Sequence, residues 1–347
     1  MNQQPTTDNY PLVTVLMPVY NGEEYLAEAV ESILNQTYNN FEFIIINDAS
    51  TDKTVDVINR IKDNRIRLIC NDKNIGLTKS LNKGIEFSQG RYIARMDADD
   101  ISAPCRLEKQ VTFMRKNPDI CLCGSSCNAI SNKKTLEIKP PTDPDDIKAG
   151  LFFRNVIMHP SVIFNAEIFK KNNLFYNESY ITSQDYELWN RLSQNYKLAN
   201  IPEVLLSLRV DSEDSISVKN HKSQLKNDFS IVKKNVENLI GRKMLNNEID
   251  THKTLLGRYT LNSNISHQQI TRWTILLDKA NKKVKIYNLV SFRKQLALQW
   301  GWSLRKQSKI SLSIFREFYA LSFRKYLSFG IKGLYELYKL HNSSNTD

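Results

Sequence analysis

Three carboxylates crowd into four residues at Asp97-Ala98-Asp99-Asp100, directly behind the apolar run Tyr92-Ile93-Ala94. Like charges at that spacing repel one another and cost stability unless a cation neutralises them. Carboxylate oxygens suit a hard divalent ion such as Mg²⁺ or Mn²⁺, and such ions commonly hold substrate phosphates as well. Helix capping, which Asp favours, accounts for one of the three but not for all. Asp48, in Asn47-Asp48-Ala49-Ser50, is a second candidate, and by residue type alone it is equally a solvated turn residue. Asp185, in Ser183-Gln184-Asp185-Tyr186-Glu187-Leu188-Trp189, opens a helix bearing Leu188 and Leu192. It reads either as a cap, with its pKa lowered by the dipole, or as a proton acceptor. His159, in Met158-His159-Pro160-Ser161, is equally a structural or a functional histidine.

These residues need a frame. Apolar, β-rich runs over 13–17, 41–46, 66–70 and 92–94 predict strands, and the nearly continuous run 41–46 fits a strand buried on both faces. Between them, helical spacing over 23–34, 54–61, 77–87 and 106–115 predicts crossovers. That alternation means an α/β fold with a mostly parallel sheet. Ligands collect at the carboxyl ends of such strands. There lie Pro18-Val19-Tyr20-Asn21, Asn47-Asp48-Ala49-Ser50 and the aspartate cluster. Further strands are predicted over 120–130, 161–164 and 204–210, with a helix over 185–192 and a turn-rich break at Lys139-Pro140-Pro141-Thr142-Asp143-Pro144. No Pro follows Pro202, and beyond Lys219 the pattern is helical. The expected division is 1–219 for a catalytic domain and 220–347 for a C-terminal helical region.

Charge supports that division. Residues 1–219 carry 25 Lys and Arg against 29 Asp and Glu, whereas residues 220–347 carry 23 against 8. In the C-terminal part bases alternate with rings, as in Phe292-Arg293-Lys294, Trp300, Trp302, Phe315-Arg316, Phe318 and Phe323-Arg324-Lys325-Tyr326. Basic amphipathic helices of this kind suit an anionic bilayer surface, and they suit equally a helical bundle with a solvated basic face. No nucleic-acid motif accompanies the charge, so no nucleic acid is expected. The five cysteines form no C-x-x-C pair, and Cys121, Cys123 and Cys127 read as buried reduced thiols, consistent with the cytosol. The polar start, Met1 to Asn9, predicts no secretory signal, and no apolar run reaches 18 residues.

Taken in order, several segments resemble family 2 glycosyltransferases of the GT-A fold. They are Val15-Leu16-Met17-Pro18-Val19-Tyr20-Asn21, Ser32-Ile33-Leu34-Asn35-Gln36-Thr37-Tyr38, Phe43 to Asp52, Asn74-Ile75-Gly76 with Asn82-Lys83-Gly84, Gly90-Arg91-Tyr92-Ile93 and Asp97-Ala98-Asp99-Asp100. The resemblance runs over about residues 11–210 and leaves the C-terminal region uncovered. It implies an inverting hexosyl- or N-acetylhexosaminyltransferase that uses a UDP-sugar and Mn²⁺ or Mg²⁺ to build a surface polysaccharide, lipopolysaccharide or capsule. The acceptor would be a glycan or lipid-linked saccharide, and the location cytoplasmic, peripheral on the inner membrane.

By the same resemblance Asp48 reads the nucleobase, and Pro18, Tyr20, Asn21, Glu23, Asn74, Gly76 and Ala98 line the nucleotide-sugar pocket. Asp97 and Asp99 form the D-x-D motif holding ribose and metal, with Asp100 behind them. Asp185 is the general base, flanked by Gln184, where the family usually has Glu, and by Trp189, with His159 near the acceptor. Arg209 and Ser215-Ile216-Ser217 resemble a closing R-x-H-x-x-S segment in which Asp211 stands nearest the missing His. Two other functions compete. A sugar nucleotidyltransferase would want a basic phosphate loop after the first strand, which Tyr20-Asn21-Gly22-Glu23-Glu24 does not supply. An inactive glycan-binding or membrane scaffold would not need Asp97, Asp99 and Asp185.

Overall fold

The computed structural model describes residues 11–131, 134–210, 220–259, 265–305, 311–328 and 330–342. They divide into two compact units. One holds the described residues up to Ile147 with Asn155–Asn227, and the other Lys148–Arg154 with those from Asp228 onward. The units part between Asn227 and Asp228, inside a helix, and a short segment of the N-terminal half joins the C-terminal unit. That segment brings Phe152 and Phe153, whose rings belong to the second core.

In the first unit β1 (Val13–Val19), β2 (Phe41–Asn47), β3 (Ile66–Cys70) and β4 (Tyr92–Arg95) alternate with α1 (Leu26–Leu34), α2 (Thr54–Arg60) and α3 (Leu77–Phe87). The four strands pair in parallel, and every β1 side chain is buried. A strand buried on both faces must carry apolar residues at successive positions, as Ile44-Ile45-Ile46 does. Each such side chain contributes roughly 1.5–3 kcal/mol by leaving water.

The chain continues through β5 (Ile101–Ser102), α4 (Arg106–Lys116), β6 (Ile120–Ile130), β7 (Thr135–Ile138), α5 (Pro144–Leu151), β8 (Ile163–Asn165), α6 (Ala166–Lys171), α7 (Gln184–Leu192) and β9 (Lys197–Arg209). The sheet runs β3-β2-β1-β4-β8-β6-β9-β5, with β7 on β6. Strand β8 is antiparallel to both neighbours, so the sheet is parallel on one side and mixed on the other.

Four elements, β5, β7, α5 and α6, are not expected from sequence. Helix α5 begins inside the supposed break: Pro144 takes its first position, and Asp143 Oδ1 accepts from Asp145 N–H (2.9 Å) and Asp146 N–H (3.2 Å). Strand β9 starts seven residues before the predicted 204, because Pro202 is accommodated rather than excluded. Its partner β6 pairs Ser125 with Ile201 and then Ser126 with Val204, a bulge that leaves Pro202 outside the ladder.

The second unit is helical: most of α8 (His221–Ile240), then α9 (Asn246–Leu256), α10 (His267–Val284), α11 (Leu289–Arg305), α12 (Ser313–Ala320) and α13 (Ile331–Asn342). Phe152 packs edge-on against Phe292 (5.1 Å) and Tyr287 (5.3 Å). Trp273 Nε1 donates to His252 Nδ1 (2.9 Å), and burial pushes the His252 pKa down to about 3, keeping it neutral. Phe292, Trp300, Phe318 and Phe323 are all buried. The rings that suggested a bilayer face are therefore largely used by this core. Among the described residues, no helix is long and apolar enough to cross a membrane.

Candidate active site

The β1–β4 ladder ends before Pro18. Leu16 C=O accepts from Met96 N–H, on the β4 side, and Val19 C=O accepts from Asp48 N–H, on the β2 side. Alternation puts Pro18 on the β4 side, beyond the last β1–β4 pair, Leu16 with Arg95. Its missing N–H costs no ladder bond there. At that point β4 gives way to Asp97-Ala98-Asp99-Asp100.

Three of the positive-φ non-glycine residues sit at predicted site loops: Asn21 (51°), Ala49 (59°) and Ser183 (62°). Asn tolerates this conformation, while Ala and Ser adopt it at a cost of about 1 kcal/mol each. The first two loops hold each other in shape. Asn21 N–H donates to Ser50 Oγ (2.9 Å), Thr51 N–H to Asn21 Oδ1 (2.8 Å), Glu23 N–H to Asp52 Oδ2 (3.0 Å) and Lys53 N–H to Glu23 Oε2 (2.8 Å). A side chain on Gly22 would meet Val19 at 2.7 Å. Asn21 and Glu23 thus tie the two loops together, while Tyr20, 50% exposed, is open at the strand end.

Asp48 is only 4% exposed, which removes the solvated-turn alternative. Its carboxylate accepts from Asn71 Nδ2 (2.8 Å), Ile75 N–H (2.9 Å) and Gly76 N–H (2.8 Å). Gly76 has φ 89°, so a side chain here would strain the turn that delivers its N–H. Asn74 is exposed on the same loop.

Oxygens of Asp97, Asp99 and Asp100 all lie within 4.8 Å of one another. Burial and the Asp97 charge push the Asp99 carboxyl up to about 6; burial, then Asp97 and Asp99, push Asp100 up to about 8. Asp100 is buried and accepts the Arg209 backbone N–H (3.1 Å), so it anchors the end of β9, whereas Asp97 and Asp99 are partly exposed. The Arg209 guanidinium lies over the Tyr25 ring (4.6 Å) and pairs with Glu28. Asp211 and Ser215-Ile216-Ser217 fall outside the described residues.

Arg95 and Arg106 were not singled out from sequence. Arg95, 2% exposed, forms an ion pair with Asp97. Arg106, fully buried, donates to Arg95 C=O (2.6 Å) and Gln110 Oε1 (3.0 Å). Burial pushes its pKa down to about 10, so it stays charged at neutral pH. Two guanidinium groups therefore brace the acidic loop. The available signal was an Arg two residues before Asp97, inside an otherwise apolar strand.

Asp185 lies one residue inside α7, so it is not the helix cap, and Asn155 Nδ2 donates to its Oδ2 (2.7 Å). Gln184 is buried beside it. Trp189 is fully buried and packs edge-on against His159 (5.9 Å) and Tyr176 (6.3 Å), so it acts through those rings. His159 Nε2 and Tyr176 OH are 2.9 Å apart. Burial and the Arg95 charge hold His159 well below its usual range, leaving it neutral and a poor proton acceptor. Burial raises the Tyr176 hydroxyl; the Arg95 charge opposes this, and the charges of Asp185 and Asp97 add to it.

Residues 14–170 match the family described as glycosyl transferase family 2. An uncharacterised glycosyltransferase of Haemophilus influenzae is 40% identical over 226 residues, 62% of this chain and 70% of that protein. The amylovoran biosynthesis glycosyltransferase AmsE of Erwinia amylovora is 30% identical over 208 residues, 58% of this chain and 77% of the relative. Among solved structures, S. aureus TarS in complex with UDP-GlcNAc aligns at a TM-score of 0.55 and 14% identity, over 83% of this chain and 86% of that one. The mannosyltransferase PcManGT from Pyrobaculum calidifontis, in complex with GDP-Man and Mn²⁺, aligns at 0.52 and 16%, over 97% and 88%. At those identities the likeness is one of fold.

Proposed function

The chain belongs to glycosyltransferase family 2, and on that premise we propose that it transfers a sugar from a UDP-sugar to a hydroxyl of a glycan or lipid-linked saccharide, with inversion, in surface-polysaccharide assembly. One observation carries this reading: oxygens of Asp97, Asp99 and Asp100 lie within 4.8 Å of one another directly after β4, at the carboxyl end of the parallel strands. The polysaccharide role rests on the likeness to AmsE, and the UDP donor is consistent with the fold shared with TarS.

The donor set is all oxygen, which fits Mg²⁺ or Mn²⁺, and burial with neighbouring charge raises the Asp99 and Asp100 carboxyls while no cation compensates them. Asp99 and Asp97 would hold the ion, which when bound neutralises charge on the departing diphosphate. Asp48 has three of its roughly four acceptor positions filled, leaving one for a base N–H such as that of uracil. Asp185 takes the proton of the acceptor hydroxyl as its oxygen attacks the anomeric carbon and the bond to the nucleotide breaks. Asn155 holds the carboxylate in orientation.

The test is UDP release from a panel of UDP-sugars with Mn²⁺. It is expected to stop in EDTA and to need more Mn²⁺ as the pH falls. Asp99 and Asp100 have raised pKa values, so below about pH 8 and then about pH 6 protons compete with the ion. The half-activating Mn²⁺ concentration should rise about tenfold per pH unit for each proton displaced. A flat dependence would exclude these acids as ligands, and pyrophosphate release from a sugar phosphate and a nucleoside triphosphate would identify a nucleotidyltransferase instead.

We further place the protein at the cytoplasmic face of an anionic membrane, through exposed Leu312, Tyr319, Ile331 and Tyr335 with Arg316, Arg324, Lys325 and Lys332. Flotation with anionic vesicles should exceed flotation with neutral ones and collapse at high salt; equal recovery with both would end that assignment.

A further inference from the structure

The C-terminal unit carries a half-open pocket of about 530 Å³, within the size range of small-ligand sites, and none of its described lining residues belongs to the candidate active site. Phe153 and Arg154 form one side, Leu256 and Arg258 the end of α9, and Trp302 and Arg305 the end of α11. Among the described residues, three guanidinium groups thus line it and no carboxylate does. The Arg154 guanidinium lies over the Trp302 ring, 4.9 Å from its centroid. Arg258 is held in place, with Nη1 on Asp228 (3.1 Å) and Nη2 on the Phe153 carbonyl (3.1 Å), while its Nε is buried with no hydrogen-bond partner.

Cations converging on a concave, partly desolvated wall concentrate positive potential and call for an anion. Planar guanidinium groups match the oxygens of a phosphate in paired hydrogen bonds. Phe153, Leu256 and Trp302 supply an apolar wall that phosphate alone would not need. We propose that this cavity binds a phosphate ester, the guanidinium groups taking the phosphate and the three apolar side chains the organic body. The site is separate from the donor pocket, and the assignment does not rest on the sugar-transfer reading. A lipid-borne phosphate and a soluble phosphate ester share this chemistry.

The test is calorimetric titration of the full chain with hexyl phosphate, inorganic phosphate and hexanol, repeated on Arg305→Gln and on Arg154→Gln/Arg305→Gln. Arg305 is exposed, so its replacement leaves the fold intact, and thermal unfolding checks the double variant. Hexyl phosphate should bind at least about tenfold more tightly than hexanol, and the double variant should lose that advantage. Hexyl phosphate should also bind ahead of inorganic phosphate, and a further gain for a longer alkyl phosphate over glycerol 3-phosphate points to a lipid-borne source, its absence to a soluble ester; parity of hexyl and inorganic phosphate would overturn the apolar half of the assignment. Equal binding of hexanol, unchanged binding by the folded variants, or no binding of either phosphate would overturn the proposal. Mn²⁺-dependent UDP release by Arg305→Gln should equal that of the unaltered protein, so failure here is distinguishable from failure at the active site.

Discussion

Asp99→Ala is expected to lower Mn²⁺-dependent turnover by about 10²–10³-fold or more, while the metal-free protein melts at the same temperature or higher. The two halves of that result come from one fact. Burial and Asp97 raise the Asp99 carboxyl to about 6, against an ordinary value of 3.8. A carboxyl raised in the folded state favours folding at low pH and opposes it increasingly as the pH rises through that window. At neutral pH without an ion, Asp99 is therefore a liability to the fold, and removing it relieves repulsion with Asp97 and Asp100. Activity gained at the expense of stability is what a ligand site implies and what a structural carboxylate does not. Asp100, raised further to about 8, also accepts the Arg209 N–H, so its replacement loses a backbone anchor along with the repulsion and should raise the melting temperature less than its pKa alone implies. Kinetics with differential scanning calorimetry on both variants, at pH 7 without added metal, read the distinction. Full activity in Asp99→Ala, or a large fall in its stability, would contradict the assignment.

Asp185→Asn is expected to keep donor affinity within a few-fold and lose turnover by about 10²–10⁴-fold, the range for removing a general base. The replacement preserves shape and an oxygen to accept from Asn155, so the cleft should be undisturbed. It removes the group able to take a proton. His159 is the nearest competitor, but burial and Arg95 disfavour its protonated form, and Nε2 is engaged with Tyr176 OH. Single-turnover transfer and UDP binding, measured together, separate the two effects. Unchanged transfer would remove Asp185 from the base role.

Much of this was legible in the residues. Continuous apolar runs and helical spacing gave β1 to β4 with α1 to α3, since strands buried on both faces leave an unmistakable pattern. The three acids stood out because their mutual repulsion has no structural use. What escaped has physical causes. Strand β5 has two residues, too few for a period, and nothing in a strand states which way its neighbour runs. The early start of β9 was hidden because the bulge that accommodates Pro202 depends on the partner strand. Asn155 reaches Asp185 across 30 residues with no local mark, and Arg106 looks like any helix-opening arginine until its burial is known. Among the rings of the C-terminal half, periodicity separates two faces of a helix but not a bilayer from a neighbouring helix; Phe292 and Trp300 went to the core.

The central claim is that the aspartates closing β4 grip a divalent ion together with the donor diphosphate. Anomalous diffraction from a crystal soaked in MnCl₂ and UDP tests it most directly. The account predicts one strong manganese peak between the Asp97 and Asp99 carboxylates and the UDP phosphates. UDP bound elsewhere, or these acids turned away from a pocket without manganese, would contradict it.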